Sequence, residues 1–348
     1  MASGYSRSTL NRVERLGLQL AKPEEFTLRR VRRGRGFAYL DLRARPIRDR
    51  ATLTRIRALA VPPAYRSVRF ANDPAAHLQA VARDSAGRLQ YRYHPKWQDV
   101  RDLRKAKRLY RLLTTMPKLR RGLSRHLSVA EPTRDHVLAA IVELVAVAGI
   151  RAGSQRYARD HGTRGATTLL KSDVQITGTS VTLRFKGKLG KLIEKRLHSV
   201  TLARSLKRLM RLPGRGLFQY RDDNGNVRSV RRQDVNNFLR DLAGANVSLK
   251  DFRTLVATEL AFKRFTKASD GCNLTQRKRT VLAAVEAVAG ELGNTPTICR
   301  KSYVHQVVLS AYQNGSLDRL VDRVGAGASR RHRERSLAQL LRFAGAHH

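Results

Sequence analysis

The stretch EPTRDHVLAAIVELVAVAGI, residues 131–150, forms the most apolar run of this chain. Glu131 and Asp135 lie at its start, where acidic side chains suit the positive end of a helix dipole. The almost uninterrupted apolar residues that follow predict a buried helix. Its most apolar part, Val137 to Ile150, contains Glu143 and is too short to cross a bilayer. We therefore expect it to form the centre of a helical domain rather than a membrane span.

Downstream of this helix, the pattern first predicts strands and then more helices. Val181, Leu183 and Phe185 alternate with polar residues, which predicts a hairpin of residues 173–177 and 180–186. Residues 192–197 could add a third strand. A smaller hairpin is expected around Asn224-Gly225. Further helices are predicted at 202–212, 233–243, 252–265, 275–292 and 336–343.

Upstream, the chain is rich in arginine and divided into short elements up to about residue 96. Residues 49–60 predict a short helix, and residues 77–83 and 88–93 predict a hairpin around a DSAG turn. In the second strand Arg88, Gln90 and Arg92 alternate with Leu89, Tyr91 and Tyr93, so one face is polar and the other apolar. Residues 99–113 and 117–127 predict two basic helices. The expected fold is α+β, with a small β-rich N-terminal domain (1–96) and a larger, mostly α-helical C-terminal domain (97–348) containing a short antiparallel sheet.

Charge restricts the partner of this chain more strongly than any single motif. Lys plus Arg number 70 and Asp plus Glu 27, giving a formal net charge of +43. Such a surplus favours a polyanionic partner, either nucleic acid or an anionic membrane surface. Hydrophobic residues make up 41%, which excludes a basic disordered tail. Because no export signal or membrane span is evident, we expect a cytoplasmic protein in contact with DNA or RNA and with no membrane partner, the alternative being a ribosomal-type basic protein.

Several kinds of chemistry lack their motifs. There is no GxxxxGK[ST] loop for ATP, no HExxH, and no acidic cluster of the density that a two-metal nuclease needs. The two cysteines, Cys272 and Cys299, exclude a disulfide framework and a zinc ribbon. A DNA enzyme of this composition would use cationic side chains to neutralise charge at the phosphate. Arginine donates two parallel hydrogen bonds to phosphate oxygens, and lysine can protonate a leaving group.

A series of short motifs keeps its order and spacing over about residues 40–307. The motifs are VPPAY (61–65), GRLQYRYH (87–94), IRAGSQRYA (150–158), GATTL (165–169), FKGK (185–188), LKDFRT (249–254), LGNTP (292–296) and CRKSYV (299–304). Together they resemble the type IB DNA topoisomerases of the compact bacterial and poxvirus kind. The resemblance implies a monomeric, bilobed clamp on double-stranded DNA. It also implies relaxation of positive and negative supercoils without ATP or a divalent metal.

The resemblance also implies roles for individual residues. Tyr303 would be the nucleophile that forms a 3′-phosphotyrosyl bond, and Lys188 the general acid for the 5′-hydroxyl. Arg151 and Arg253 would clamp the non-bridging oxygens, with Arg151 also assisting proton transfer. Asn294 stands where many relatives carry His, so it can donate a neutral hydrogen bond but cannot become cationic. Predicted DNA-contacting residues are Gln90, Tyr91, Tyr93, Tyr157 and Lys250.

Two other functions remain to be distinguished from this one. A tyrosine recombinase or integrase uses the same Arg, Lys, Arg and Tyr chemistry, but its box usually has His shortly before the second arginine, where this chain has Lys250. An architectural DNA-binding protein would need none of that chemistry. The sequence leaves open what the basic segments at residues 29–35 and 330–335 do.

Overall fold

The computed structural model describes residues 5–268, 273–318 and 328–346, with side chains to residue 342 in the last range. Cys272 lies outside these residues. The chain divides into two compact units, Met1–Arg104 and Lys105–His347. The division falls within a long helix, a few residues beyond the predicted boundary at residue 96.

The first unit is built on a five-stranded sheet with the order β2-β1-β3-β4-β5, in which every neighbouring pair is antiparallel. The predicted helix at 49–60 and the hairpin around the DSAG turn are confirmed. The basic segment at 29–35 forms most of the first strand and the turn of a further hairpin. The elements are α1 (Arg7–Arg15), β1 (Leu28–Arg33), β2 (Gly36–Leu40), α2 (Arg50–Ala58), β3 (Arg66–Phe70), β4 (Leu78–Arg83) and β5 (Leu89–Tyr93).

Strand β4 is buried on both faces, which makes it the centre of this unit. Leu78 and Val81 pack with Phe26 on one side, and Ala80 packs with Ile56 of α2 on the other. Strand β5, by contrast, lies at the edge of the sheet and exposes its leucine and tyrosines. The apolar face predicted for β5 is therefore exposed.

The second unit is mostly helical and packs around α4. Residues Val137–Val142 of that helix are fully buried, which confirms the prediction from the apolar stretch. Thr133 caps its start by accepting a hydrogen bond from His136 N at 3.3 Å. The elements are α3 (Trp97–Ser128), α4 (Arg134–Ala148), α5 (Gln155–His161), β6 (Val174–Thr177), β7 (Ser180–Lys186), β8 (Leu192–His198), α6 (Val200–Met210), β9 (Gln219–Arg221), β10 (Val227–Ser229), α7 (Arg232–Ala243), α8 (Leu249–Phe265), α9 (Leu274–Leu292), α10 (Pro296–Ser302), α11 (Gln306–Gln313) and α12 (Arg330–Ala346).

Helix α3 corrects the sequence analysis, which placed two helices around Pro117. The structure has one helix from Trp97 to Ser128 with Pro117 inside it. A proline removes one backbone hydrogen bond and disfavours a helix interior. Here an apolar stripe that includes Leu112, Met116 and Leu119 is buried on either side of the proline, and that packing outweighs the local penalty. Within the described residues, no helix is long and apolar enough to span a membrane.

The basic segment at 330–335 begins α12 and joins an ion-pair network. Arg330 Nε lies 3.1 Å from Glu259 Oε2 and 3.3 Å from Glu334 Oε1. Arg333 donates to Glu259 at 3.3 Å, and Arg120 Nη2 lies 2.6 Å from both oxygens of Glu334. The network ties α12 to α3 and to α8. At least two arginines of this segment therefore have a structural role.

We expect Glu334→Ala to lower the free energy of unfolding by about 3 kcal/mol, because it leaves Arg120 and Arg330 without their shared carboxylate. Glu334 is only 4% exposed, whereas both arginines are partly solvated, which holds the loss at the low end of the range for buried pairs. Urea unfolding followed by circular dichroism measures it. Glu286→Ala, at an exposed glutamate of α9, is the control and should change stability by under about 0.5 kcal/mol. Equal effects of the two changes would contradict the role of the network.

Candidate active site

Arg253 lies on the first turns of α8 and is almost fully buried, at 4% exposure. Its guanidinium donates to the carbonyl oxygens of Gly149 and, at 3.3 Å, of Leu292. Its Nε is also buried and has no hydrogen-bond partner among the described residues. Burial lowers the pKa of Arg253, and the phenol of Tyr303 opposes that shift. The side chain is thus held in place by backbone carbonyl groups, and one donor is left for an acceptor that none of the described residues supplies.

The start of α8 is fixed by a carboxylate. Asp251 accepts hydrogen bonds from both Ser248 N and Ser248 Oγ at 2.8 Å. It also pairs with Arg108 of α3 at 2.9 Å. A carboxylate in the first turn satisfies free N–H groups and suits the helix dipole. This cap sets the position from which Arg253 projects.

Tyr303 lies directly after the short helix α10, with its ring beside Arg253. The Arg253 Cζ atom lies 4.9 Å from the centre of the ring. Helix α10 begins with Pro296 and is capped by Thr295, whose hydroxyl accepts from Ile298 N at 3.3 Å. Tyr303 N then donates to Cys299 O at 2.9 Å. The phenol is partly exposed, so a reactant could approach it from solvent.

Cys299 is a free, fully buried thiol in the same helix. Burial raises its pKa to about 11. The thiol is therefore neutral at physiological pH and unsuited to nucleophilic attack. It contributes to packing under Tyr303.

Arg151 and Asn294 meet across the site. Arg151 Nη2 lies 2.5 Å from Asn294 Oδ1. Asn294 directly follows Gly293, which ends α9 in the left-handed conformation with φ +62°. Its Nδ2 is buried and has no partner within the described part of the chain. Asn294 therefore orients Arg151 through its oxygen and presents a second unused donor through its nitrogen.

The backbone after α4 holds Arg151 by close contact with a second segment. Ala166 N donates to Arg151 O and Thr167 N to Ala152 O, both at 2.8 Å. A Cβ atom on Gly165 would lie 2.5 Å from Arg151 O, so only glycine fits there. This is the reason that the 150–158 and 165–169 motifs occur together.

Lys188 lies at the tip of the β7–β8 hairpin. Gly187 N donates to Lys191 O at 2.8 Å, which closes the tip. Lys188 is exposed, and it lines a cleft of about 150 Å³ together with Arg151 and Arg253. The structure thus brings Arg151, Lys188 and Arg253 to one cleft, with Asn294 and Tyr303 in contact with the two arginines. A phenol beside Arg253, with the other donors gathered at the same two arginines and their cleft, suits transfer of a phosphoryl group onto that phenol.

Comparison with known proteins shows the family to which this chain belongs. Residues 94–322 match the family described as eukaryotic DNA topoisomerase I, catalytic core, and residues 36–84 match bacterial DNA topoisomerase IB, N-terminal domain. A DNA topoisomerase 1B of Acanthamoeba polyphaga mimivirus is 32% identical over 269 residues, covering 75% of this chain and 80% of that protein. The chain belongs to the type IB DNA topoisomerases.

Two further similarities are weaker. The DNA topoisomerase 1B of vaccinia virus (strain Copenhagen) is 21% identical over 231 residues, which cover 66% of this chain and 70% of the viral one. A crystal structure of the XerH site-specific recombinase bound to its difH substrate aligns with a TM-score of 0.36 and 14% identity. That alignment covers 56% of this chain and 50% of the recombinase.

The predicted DNA-contacting residues of this type IB topoisomerase are mostly exposed. Tyr91 and Tyr93, on β5, are 43% and 39% exposed, and Tyr157, on α5, is 45% exposed. Lys250 is exposed at the start of α8. Gln90 is half-buried instead, and its amide donates to Asp84 Oδ2 at 2.9 Å. That hydrogen bond uses one of the two N–H donors of the amide.

Sequence reasoning missed one ion pair beside the cleft of this topoisomerase. Lys195 of β8 pairs with Glu291 in the last turn of α9. Both residues line the cleft, and the pair joins the hairpin that carries Lys188 to the helix that precedes Asn294. No local pattern could have revealed it, because the partners are 96 residues apart. Among the described residues, no group of three or more His, Cys, Asp or Glu is arranged to hold a metal ion.

Proposed function

We propose that this type IB topoisomerase relaxes supercoiled DNA through attack of Tyr303 on a backbone phosphate. The phenol oxygen forms a bond to phosphorus, and the bond from phosphorus to the 5′ oxygen of the next nucleotide breaks. The strand is then held by a 3′-phosphotyrosyl ester while the duplex swivels. Attack by the freed 5′-hydroxyl reverses the step and restores the phenol.

The observation that carries this proposal is a pair of unused donors in the candidate site, one of which belongs to the arginine beside Tyr303. Arg253 Nε and Asn294 Nδ2 are both buried and unpartnered in the described structure. A buried donor without an acceptor costs about 1–3 kcal/mol. A bound phosphate offers non-bridging oxygens that would relieve both, and negative charge on those oxygens increases in the transition state. Donors that are already desolvated and oriented stabilise that charge without further reorganisation.

Lys188 is proposed as the general acid. The 5′ oxygen would leave as an alkoxide, a very poor leaving group unless it is protonated. Lys188 lies at a hairpin tip and lines the cleft that also contains Arg151 and Arg253, so it can approach a leaving oxygen held there.

The energy balance of this exchange supports a reaction without a nucleotide cofactor. One phosphodiester is replaced by another ester of similar energy, so religation needs no external source. We also propose that the arginines provide the charge neutralisation, so that neither ATP nor a divalent metal is required. We further propose that the protein acts as a monomer on double-stranded DNA, close to the nucleoid in the cytoplasm.

The direct test traps the covalent intermediate. A duplex whose cleaved fragment is too short to stay bound cannot be religated, so the protein remains attached to the DNA. Digestion and mass spectrometry should place the nucleotide on Tyr303. Attachment to another residue, or no adduct at all, would refute the proposal. Relaxation of a plasmid by the monomer, without any special site, separates this function from recombination.

The role of Lys188 has a separate prediction. Lys188→Ala should slow cleavage of an ordinary duplex by about 10²–10⁴-fold, the usual contribution of a general acid. Replacing the scissile 5′ oxygen by sulfur should remove most of that defect, because a thiolate leaves without protonation. Single-turnover cleavage of both duplexes measures it, with Lys207→Ala on α6 as the control. An equal defect on both duplexes would show that Lys188 does not donate the proton.

A further inference from the structure

Leu189 is the most exposed large hydrophobic residue in the described part of the chain, at 92%, followed by Leu42 at 75%. Exposed leucines are common on protein surfaces and need no explanation by themselves. Leu189, however, directly follows Lys188 at the hairpin tip. Its backbone, its charged neighbours and its position beside the cleft each add an independent observation.

The backbone of Leu189 is in the left-handed region, with φ +60° and ψ 26°. That conformation is uncommon for a leucine and is normally left to glycine or asparagine. The tip is nevertheless well defined, because Gly190 N donates to Gly187 O at 3.1 Å and Gly187 N donates to Lys191 O at 2.8 Å. A Cβ atom on Gly187 would meet Ile193 at 2.7 Å, so the glycine allows the tight closure of the tip. The loop is built to project Leu189 away from the protein.

Three lysines lie within three positions of Leu189 along the chain. Lys186, Lys188 and Lys191 are all exposed, and no acidic residue occurs between positions 186 and 193. An apolar side chain among ammonium groups matches a surface with phosphates outside and apolar sugars and stacked base faces inside. The minor groove of DNA has this arrangement, and proteins that bind there often insert an apolar side chain between base pairs.

We propose that Leu189 enters the minor groove beside the scissile phosphate and wedges against a base step. This rests on the proposed function, because Lys188 is taken to lie at the leaving oxygen. A wedge one residue from the general acid would fix the position of the duplex, so that Lys188 approaches the 5′ oxygen. It would also partly unstack the neighbouring bases before cleavage. The partner is therefore duplex DNA at the cleavage position.

The test uses a duplex whose cleavage position has been mapped with the wild-type protein. The fluorescent base 2-aminopurine is placed at each base pair next to the scissile phosphate, and binding is measured in the Tyr303→Phe background to prevent cleavage. Leu189→Asn removes the apolar side chain but keeps a residue that accepts the left-handed backbone. Leu189→Met restores an apolar side chain, and Leu282→Gln changes an exposed leucine on α9 as the matched control.

Protein with Leu189 should raise the fluorescence at one of these positions, since unstacking relieves quenching. Leu189→Asn should lose at least about two thirds of that rise, while Leu189→Met and Leu282→Gln retain most of it. With Tyr303 intact, single-turnover cleavage by Leu189→Asn should be roughly tenfold slower, as expected for one lost apolar contact. Equal fluorescence and equal cleavage rates for Leu189→Asn and wild type would overturn the proposal.

A second measurement separates DNA from a lipid surface, which also combines negative charge with an apolar interior. Sedimentation with vesicles containing phosphatidylserine should be the same for wild type and Leu189→Asn, and a loss of vesicle binding confined to Leu189→Asn would overturn the assignment to DNA. Failure of the proposed function has a different signature. Wild-type protein would then form no covalent adduct, whereas failure of the wedge alone leaves the adduct on Tyr303 and removes only the difference between the variants.

Discussion

Tyr303→Phe should abolish relaxation of supercoiled plasmid, with a loss of at least about 10⁴-fold, and should form no covalent adduct. In the proposed mechanism the phenol oxygen of Tyr303 bonds to phosphorus, and loss of a nucleophile removes an entire covalent pathway rather than one contact. Cys299, the free thiol in the preceding helix, cannot replace it, because it is buried and its pKa is raised to about 11. Gel assays of relaxation and of covalent capture on the trapping duplex measure both effects.

The substitution is well suited to this purpose because it preserves packing. The ring of Tyr303 faces the Arg253 guanidinium at 4.9 Å, and phenylalanine keeps that ring. We therefore expect DNA binding and thermal unfolding close to wild type. Tyr110→Phe, at another partly buried tyrosine packed against the same core, is the control and should retain full activity. If Tyr303→Phe still relaxed plasmid within tenfold of wild type, a different side chain would have to be the nucleophile.

Arg253→Ala should slow formation of the covalent adduct by about 10³–10⁵-fold, comparable to removal of an arginine that stabilises a phosphoryl-transfer transition state. Its charge and its Nε donor, which has no partner among the described residues, lie beside Tyr303, where the proposed mechanism develops negative charge during attack. Arg253→Lys keeps a charge but not the planar fork, so we expect it to recover only part of the rate. Single-turnover cleavage at saturating protein separates this effect from weaker DNA binding.

Arg253 also bonds to the backbone of Gly149 and Leu292, so stability must be measured in parallel. Urea unfolding establishes the range in which Arg253→Ala is folded, and rates are compared only there. Arg264→Ala changes an exposed arginine near the end of the same helix and should cleave at the wild-type rate. Cleavage by folded Arg253→Ala within tenfold of wild type would remove Arg253 from the catalytic site.

Local patterns were sufficient for most elements. The hairpin at 173–186 and its third strand were predicted from alternation, and α4 from its apolar run; the structure confirms them. The short helices α5, α10 and α11 were missed, since they have only seven or eight residues each and little periodicity. Helix α3 was divided at Pro117, because a local rule takes no account of the apolar stripe buried on either side.

The candidate site shows the same division between local and long-range information. Its residue types and their order are present in the sequence, and the family resemblance assigned each a role. The contacts between these residues could not be predicted from local patterns. Arg151 and Asn294 are 143 residues apart, and Arg253 bonds to carbonyl groups 104 and 39 residues away.

The sequence by itself determined the polyanionic partner, the helix at the centre of the second unit and the side chains available for phosphoryl transfer. Only the tertiary structure decided that Arg253 and Asn294 each keep one buried donor unused, and that Leu189 projects from the hairpin tip. Composition and periodicity depend on neighbours along the chain. Whether a donor finds a partner depends on which distant backbone groups folding brings beside it.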